Sequence, residues 1–358
     1  MIISNKIIIK WLQDIFTSAG CPKEEAKLIS SHLVDADASG HPSHGIVRVP
    51  RYIDYINKKS VRKKCSYEIL VSNENLMLID GKYSFGQVLG YKMIEEAKKM
   101  LTTSGFAIIG LRNAGHLGRI GSWAEILASC GYVSIHFVSV SGSKIVAPFG
   151  SKEAKFSTAP LTIGIPNFNH DEQDHFILDF ATSRVAEGKI LVSQKTGTNI
   201  PKDSMVDENG NDTDLPYTIY GDSANTSVPN PRNGLGAIQA MGEHKGSGLG
   251  LACELIAGAL TGAGTNASER PFCNGMFSVI FDPKNLDVDN SISKEIKDFI
   301  NSIRKSAPRK EGRKVMIPGD PEREKRKQSL TNGIELREEI INQLKAISEK
   351  LKLTIPKF

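Results

Sequence analysis

Between residues 76 and 141 the sequence alternates short apolar runs with amphipathic ones, and that alternation commits the chain to a layered α/β architecture. "NLMLIDG", "GFAIIGL" and "YVSIHFVSV" are rich in β-branched and aromatic residues and read as strands. "FGQVLGYKMIEEAKKML" and "RIGSWAEILASCG" between them carry apolar residues at helical spacing. Further strands are expected at "LTIGIP", "HFILDFA" and "MFSVIFD", with helices at about 183–195 and 246–261. Residues 196–235, rich in Asn, Asp, Pro and Gly, read as a long irregular excursion of a kind uncommon without a task.

The two ends follow a different grammar. Residues 1–60 read as helices; "CPKEEAKLISSHLVDADASG" places Pro22 in a first turn, Glu24 and Glu25 at its positive end and Gly40 at its stop. "SKEIKDFINSIRK" and "ELREEIINQLKAISEKLK" are helical again. The simplest arrangement packs 1–73 and 285–358 together as one helical part, for substrate and dimerisation, around an inserted α/β cofactor domain at 74–284.

Composition excludes several classes. With 358 residues, 40% hydrophobic and 24% charged, the chain has the ordinary globular mixture and can bury a sizeable core. Its five cysteines are odd in number, scattered and without a CxxC pair, which argues against a disulfide framework or structural zinc and for a reducing cytoplasm. Lys6 and Lys10 break the apolar start, so it reads as an amphipathic helix rather than a signal peptide. "GLGLACELIAGALTGAG" is short and carries Glu254, which suits a buried helix rather than a membrane span, and a soluble protein is expected. The net charge of +5 gathers in "RKSAPRKEGRKVMIPGDPEREKRK", where acids and prolines interrupt it; without aromatic platforms it reads as solvated surface rather than a nucleic-acid site.

Five stretches carry candidate chemistry. In "SGHPSHGIVRVPRY", helical spacing would put His44, Arg48 and Tyr52 on one face, with Pro50 disturbing the register. Arg clamps a carboxylate through two hydrogen bonds and His moves a proton near neutral pH, yet an ordinary polar helix start fits the same residues. His41 and His44 have no third and fourth metal ligand at recognisable spacing. In "LRNAGHLGRIG", His116 sits between a predicted strand and helix, where ligands bind in α/β proteins, and a helix-capping role is equally open. "ILDFATS" ends an apolar strand on Asp179; capping explains Thr182 and Ser183 but not the acid. "GEHKGSGLGLACELIAGAL" sets His244 and Lys245 before a helix start suited to anions, or merely to close packing. No GxGxxG follows a predicted strand, so an ordinary Rossmann site is unsupported, and "VMIPGDPE" alone is a turn.

Together these stretches resemble the malate/L-lactate dehydrogenase family, a group of NAD(P)-dependent enzymes unrelated to the Rossmann-type lactate dehydrogenases. "GHPSHGIVRVPRY" matches its GHxSHG signature and "NAGHLGRIG" its second histidine motif; "VAPFG", "LDFATS", "EHKGSGLGLACELI" and "IPGDPE" follow in family order. The resemblance covers nearly the whole chain, and "HLGRIGSWAE" and "GYVSIHFVSV" look closest to the hydroxycarboxylate dehydrogenase branch. It implies a non-Rossmann mixed-sheet cofactor domain, a helical part built from both termini, and a homodimer with active sites near the subunit interface. The implied activity is reversible reduction of a small 2-oxo acid to a 2-hydroxy acid with NAD or NADP, without a metal.

By motif match His44 and His116 would transfer the proton, and Ser43, Arg48 and Tyr52 would line the substrate pocket. Ser141, Asp179, Phe180, Ala181, His244, Lys245, Gly319 and Asp320 fall where the family contacts NAD(P). Two departures bear on cofactor or substrate details: the family's usual GTNP reads "STAP", with Ala159 for Asn, and its usual PGE reads Pro318-Gly319-Asp320. Two rivals use the same residues: a lyase or isomerase working on a hydroxy acid without nicotinamide, and a non-catalytic NAD(P)-binding protein.

Overall fold

The computed structural model describes residues 1–167, 174–197, 200–221, 232–267 and 269–357. The chain opens with strand β1 (Ile2–Ile3) and helices α1 (Asn5–Ser18) and α2 (Lys23–Ala38). Two 3-10 turns, Pro42–His44 and Ile46–Arg48, lead into α3 (Val49–Asn57). The α/β region runs β2 (Glu68–Ser72), β3 (Leu76–Asp80), α4 (Gly86–Ser104), β4 (Phe106–Ala114), α5 (Gly121–Ser129) and β5 (Val133–Ser141). After the short β6 (Val146–Ala147) come β7 (Pro160–Ile165), β8 (Phe176–Ala181) and α6 (Glu187–Thr196). The expected excursion contains β9 (Met205–Val206), β10 (Asp212–Thr213) and α7 (Tyr217–Tyr220); 198–199 and 222–231 of it lie outside the described residues. Next are β11 (Ala237–Gln239), α8 (His244–Cys253), a π-helical turn Glu254–Leu260, β12 (Cys273–Phe281), α9 (Ile292–Arg304), α10 (Asp320–Asn332), β13 (Ile334–Glu335) and α11 (Glu338–Lys350).

Seven strands form the main sheet in the order β2-β3-β4-β12-β5-β7-β8. Only β3 and β4 pair in parallel, joined through α4; the late strand β12 inserts antiparallel between β4 and β5, and β7 and β8 add antiparallel beyond. The sheet is therefore mixed and is not the doubly wound parallel sheet of the common dinucleotide fold. Met93, Trp123, Leu127, Ile109, Leu111, Met276 and Ile280 form the core between α4, α5 and this sheet. A smaller four-stranded sheet, β10-β9-β11-β6, has its own core around Val146, Phe156, Ile190, Met205 and Ile238.

Both chain ends share a separate core. Ile8, Leu12, Ile15 and Phe16 of α1, with Ile29 and Leu33 of α2, pack with Ile334, Leu336, Ile341 and Leu344. β1 pairs antiparallel with β13, and Trp11 Nε1 donates to Ser348 Oγ at 2.8 Å. Ile46, Val49, Tyr52, Phe85 and Val88 belong to the same cluster, so it seats the segment that carries His44.

Three expectations shift. The helix expected at 183–195 begins at Glu187, after Ala186 in extended conformation. The helix expected at 246–261 is α8 followed by a π turn. The charged "DPEREKRKQSLTN" is a full helix, α10, which its near-absence of apolar residues concealed. No helix among the described residues is long and apolar enough to cross a membrane.

Candidate functional site

The turn from α2 to α3 is sewn to Asp37, whose carboxylate accepts the Ile46 amide at 2.5 Å. A Cβ on Gly45 would lie 1.8 Å from Asp37 Oδ2, so the turn requires glycine there. His44 closes the first 3-10 turn with Nδ1 2.9 Å from Ser43 Oγ, while Arg48 Nε donates to the Ser43 carbonyl. The expected single helical face is instead two 3-10 turns and the start of α3. Pro50 is no disturbance, because it stands in the first turn of α3, where an amide would be unbonded anyway.

His116 follows β4 in a loop fixed from several sides. Asn274 Oδ1 accepts the Leu117 amide at 2.8 Å, and the buried His32 accepts the Arg119 amide through Nε2 at 3.0 Å. A Cβ on Gly86, at the start of α4, would lie 2.3 Å from Gly115 O and 2.4 Å from His116 O, so the helix end abuts this loop's backbone directly. Arg119, 2% exposed, forms a two-pronged ion pair with Glu125, which Arg326 of α10 also grips together with Asp35 of α2. Buried charges persist when paired in this way, and the network ties the His116 loop to both chain ends.

These two anchored segments bring His44 and His116 together. Their rings are nearly parallel, 13° apart, with centroids separated by 5.6 Å. Tyr52 Oη lies 2.7 Å from His116 Nδ1 and accepts from Gln87 Nε2 at 2.7 Å. With Gln87 donating to it, the buried Tyr52 hydroxyl has only His116 Nδ1 as an acceptor among the described residues, so the phenolic hydrogen goes to Nδ1, and neutral His116 keeps its own hydrogen on Nε2. Burial, reinforced by Arg48, pushes His44 down to about 3 and His116 well below its ordinary range. Both rings are neutral at physiological pH.

Arg48 is tied to the Ser43 carbonyl next to His44, and Arg51 and Glu187, the first residue of α6, lie near enough for the charges of Arg48 and Arg51 to lower the Glu187 carboxyl. Arg232 takes the Glu187 carboxylate with both prongs, at 2.8 and 2.7 Å, and also reaches Ser143 Oγ at 2.9 Å. Burial works against the Glu187 charge, but Arg232 holds this carboxyl well below the usual range. Gly188 lets α6 approach the histidine turn, since a Cβ there would lie 2.3 Å from Ser43 Cβ.

The residues matched to cofactor contacts collect along β8. Asp179 accepts the Gly121 amide at the head of α5 and the Thr162 hydroxyl, each at 2.7 Å, which answers why an acid ends this strand. Phe180 and Ala181 follow, half-buried. Met241 N bonds Thr182 O at 2.9 Å, setting the start of α8 beside the strand's end, with His244 and Lys245 exposed. At the other end Ile177 N bonds Pro318 O at 3.1 Å, bringing in Gly319 and Asp320. Gly319 holds φ +100°, and Asp320 is gripped by Arg304, Arg323 and the Ile317 amide. Ser141 stands apart from this line; it is buried, and its hydroxyl donates to the Ala263 and Gly264 carbonyls. Ala159, where the family usually has Asn, sits at φ +32°, a left-handed conformation that Asn tolerates and Ala does not favour.

Sequence reasoning missed Gln87, Asn274, His32, Arg119, Arg51 and Glu187. A Gln on the apolar face of "FGQVLGYKM" and an Asn inside the buried strand "CNGMFSVIF" were the available signals for the first two. Arg119 and Glu187 become visible only when distant segments meet.

Two buried, neutral histidines beside an arginine, on a mixed sheet of this order, form a site suited to holding a small anion and exchanging a proton with it. The profile described as malate/L-lactate dehydrogenase matches residues 3–345, and the chain belongs to that family. It is 31% identical over 334 residues to hydroxycarboxylate dehydrogenase B of Escherichia coli O157:H7, covering 91% of this chain and 88% of that protein. It is 29% identical over 350 residues to an L-lactate dehydrogenase of Cupriavidus necator, covering 96% of each. The solved sulfolactate dehydrogenase of Methanocaldococcus jannaschii superposes with a TM-score of 0.83 at 29% identity, over 99% of this chain and 98% of that one. The protein is a 2-hydroxyacid dehydrogenase, and its family implies a nicotinamide cofactor.

Proposed function

We propose that the protein reversibly reduces a small 2-oxo acid to the 2-hydroxy acid with NADH or NADPH, His116 carrying the proton and Arg48 holding the substrate carboxylate. The observation that carries this reading is the Gln87–Tyr52–His116 chain, which aims the Nε2 side of His116 away from its support.

The residues along β8 fit a dinucleotide. Lys245 is exposed at a helix start, Gly319 holds a backbone angle that brings main chain close, and Ser122 Oγ at the head of α5 is buried without a partner among the described residues. When bound, the nicotinamide supplies or accepts the hydride at the substrate's C2. As the carbonyl oxygen gains negative charge, His116 Nε2 delivers a proton to it, and hydride plus proton complete the CH–OH group. Such acid catalysis contributes about 10²–10⁴-fold. Burial is the main cause that keeps His116 neutral and the Arg48 charge the next; the substrate's negative charge offsets Arg48, so binding of the acid shifts His116 toward the charged ring. The imidazolium reverses the chain: Nδ1–H donates to Tyr52 Oη, and Gln87 Oε1, buried without a partner among the described residues, accepts the phenolic hydrogen once the amide rotates. His44, parallel to His116, hydrogen-bonds the substrate and shares the proton role, with Ser43 and Tyr52 completing the pocket.

His116→Ala is expected to abolish turnover while NADH binding, read by fluorescence, persists; near-normal turnover would hand the role to His44. Arg48→Ala is expected chiefly to raise KM, and an unchanged KM removes it from the clamp. Kinetics with both nucleotides decide between NADH and NADPH. The same reading takes 74–284 as the cofactor domain, with Asp179, Phe180, Ala181, His244, Lys245, Gly319, Asp320 and Ser141 along the dinucleotide. Residues 1–73 and 285–358 are taken as one helical part, which the shared terminal core supports. The enzyme is inferred to be a cytoplasmic homodimer, an assembly that sedimentation equilibrium tests.

A further inference from the structure

Helix α2 holds both histidine segments. Asp37, near its end, accepts the Ile46 amide and so fixes the His44 turn. His32, earlier on the same helix, accepts the Arg119 amide through Nε2 at 3.0 Å and so fixes the His116 loop. That loop has alternate amides taken by different elements. Gly115 N donates to Ser84 O, just ahead of α4, at 2.8 Å, and Leu117 N to Asn274 Oδ1 of β12 at 2.8 Å; Arg119 N goes to α2. The backbone carrying His116 is therefore set from both sides, and its α2 anchor is one imidazole nitrogen.

His32 is built to stay where it is. It is 2% exposed, and its ring stacks on Trp123 of α5 with centroids 4.8 Å apart and 24° between the planes. Gly118, at φ +74°, brings the loop against it; a Cβ there would lie 2.2 Å from Nε2. Burial, with the Arg119 charge adding to it, pushes His32 down to about 3, so the ring is neutral. With the Arg119 amide on Nε2, its hydrogen is on Nδ1. Among the described residues His32 bonds neither His44 nor His116, so it reaches the proton step only through the backbone it holds. We infer that His32 is a positioning residue for that step: through His32 and Asp37 one helix sets the separation of the His44 and His116 rings, 5.6 Å between centroids. This rests on the reading of His116 as proton carrier given above. An error of about 1 Å in placing a reacting group costs about 100-fold in rate.

The test is a series at position 32, each member checked for native folding by near-ultraviolet circular dichroism. His32→Gln keeps an acceptor about where Nε2 stands, His32→Asn stays polar but falls short of the Arg119 amide, and His32→Leu fills the space without an acceptor. His32→Leu and His32→Asn are expected to lower kcat by about 10- to 100-fold, with KM for the 2-oxo acid near that of the wild type. The solvent deuterium isotope effect on kcat is expected to rise in both, because the proton step has slowed; loss of folded protein alone leaves that effect unchanged. His32→Gln is expected to keep most of kcat. Where His32→Leu fails to fold, His32→Asn carries the comparison. Hydrogen–deuterium exchange over residues 115–119 reads the anchor without turnover and is expected to quicken in His32→Asn and not in His32→Gln. A folded His32→Asn enzyme with wild-type kcat and isotope effect, or a His32→Gln enzyme as slow as His32→Asn, overturns the inference. Quickened exchange in His32→Asn together with near-normal turnover of His116→Ala leaves the anchor standing and removes the proton-carrier reading instead.

Discussion

Tyr52→Phe removes one oxygen from the chain that supports His116 and leaves the ring in place. Tyr52 is 1% exposed and packs against Phe16, Phe85 and His116, contacts a phenylalanine keeps. The lost oxygen serves both protonation states of His116 unequally. A hydrogen bond to the neutral ring contributes about 1 kcal/mol and one to the imidazolium about 1.5–3 kcal/mol, so the substitution disfavours the charged form by about 0.5–2 kcal/mol. At 1.36 kcal/mol per pH unit, the pKa of His116 falls by about 0.4–1.5 units. In the proposed mechanism reduction needs the imidazolium, which forms with substrate bound, so kcat declines as pH rises through the pKa of that complex. The descending limb of the reductive pH profile is therefore expected to move to lower pH by that amount, while near-ultraviolet circular dichroism stays native. A limb that stays in place, or one that moves to higher pH, would refute the assignment of Tyr52 as the support of the proton carrier.

Two further perturbations probe how the site is held. Gly86→Ala puts a Cβ 2.4 Å from the His116 carbonyl, and backbone does not yield there as a side-chain end does; about 1–3 kcal/mol of stability and most of kcat are expected to go, read by urea titration and turnover. Asp37 is lifted by burial from 3.8 to about 7, the Ile46 amide pulling the other way. The folded protein thus binds this proton more tightly than the unfolded chain, and stability falls as pH rises from about 4 to about 7. Asp37→Asn keeps an acceptor for Ile46 N and is expected to flatten that slope; equal pH dependence of the urea midpoint in both proteins would count against it.

The strands and helices of residues 76–141 were legible because their apolar periods of two and of 3.6 are clean. Where tertiary contact sets the structure, the sequence was mute. α10 carries almost no apolar residue and is held by ion pairs from Arg323 to Asp174 and from Arg326 to Asp35, so no periodic signal announced it. Strand β12 looks like any apolar strand, and nothing local says that it inserts between β4 and β5. Motifs pointed to His44, Arg48, Tyr52 and His116, which the fold brings together through residues 64 positions apart, as in the Tyr52–His116 bond. Of the groups that tune them, Gln87 shows only as a polar residue on an apolar helix face, and Glu187 carries no mark in its own segment, because its partner Arg232 comes from another part of the chain.

The pairing of β1 with β13 reaches into how the enzyme is made. The core under the histidine turn is built from the first helices and from Ile334, Leu336, Ile341 and Leu344, and long-range closure of this kind is slow relative to local helix formation. During synthesis the α/β sheet has all seven strands once β12 emerges, yet the floor beneath Ile46, Val49 and Tyr52 still lacks its far side. A ribosome-bound chain lacking residues 334–351 has every proposed catalytic group but not Ile334, Leu336, Ile341 and Leu344, which complete the core that seats Ile46, Val49 and Tyr52.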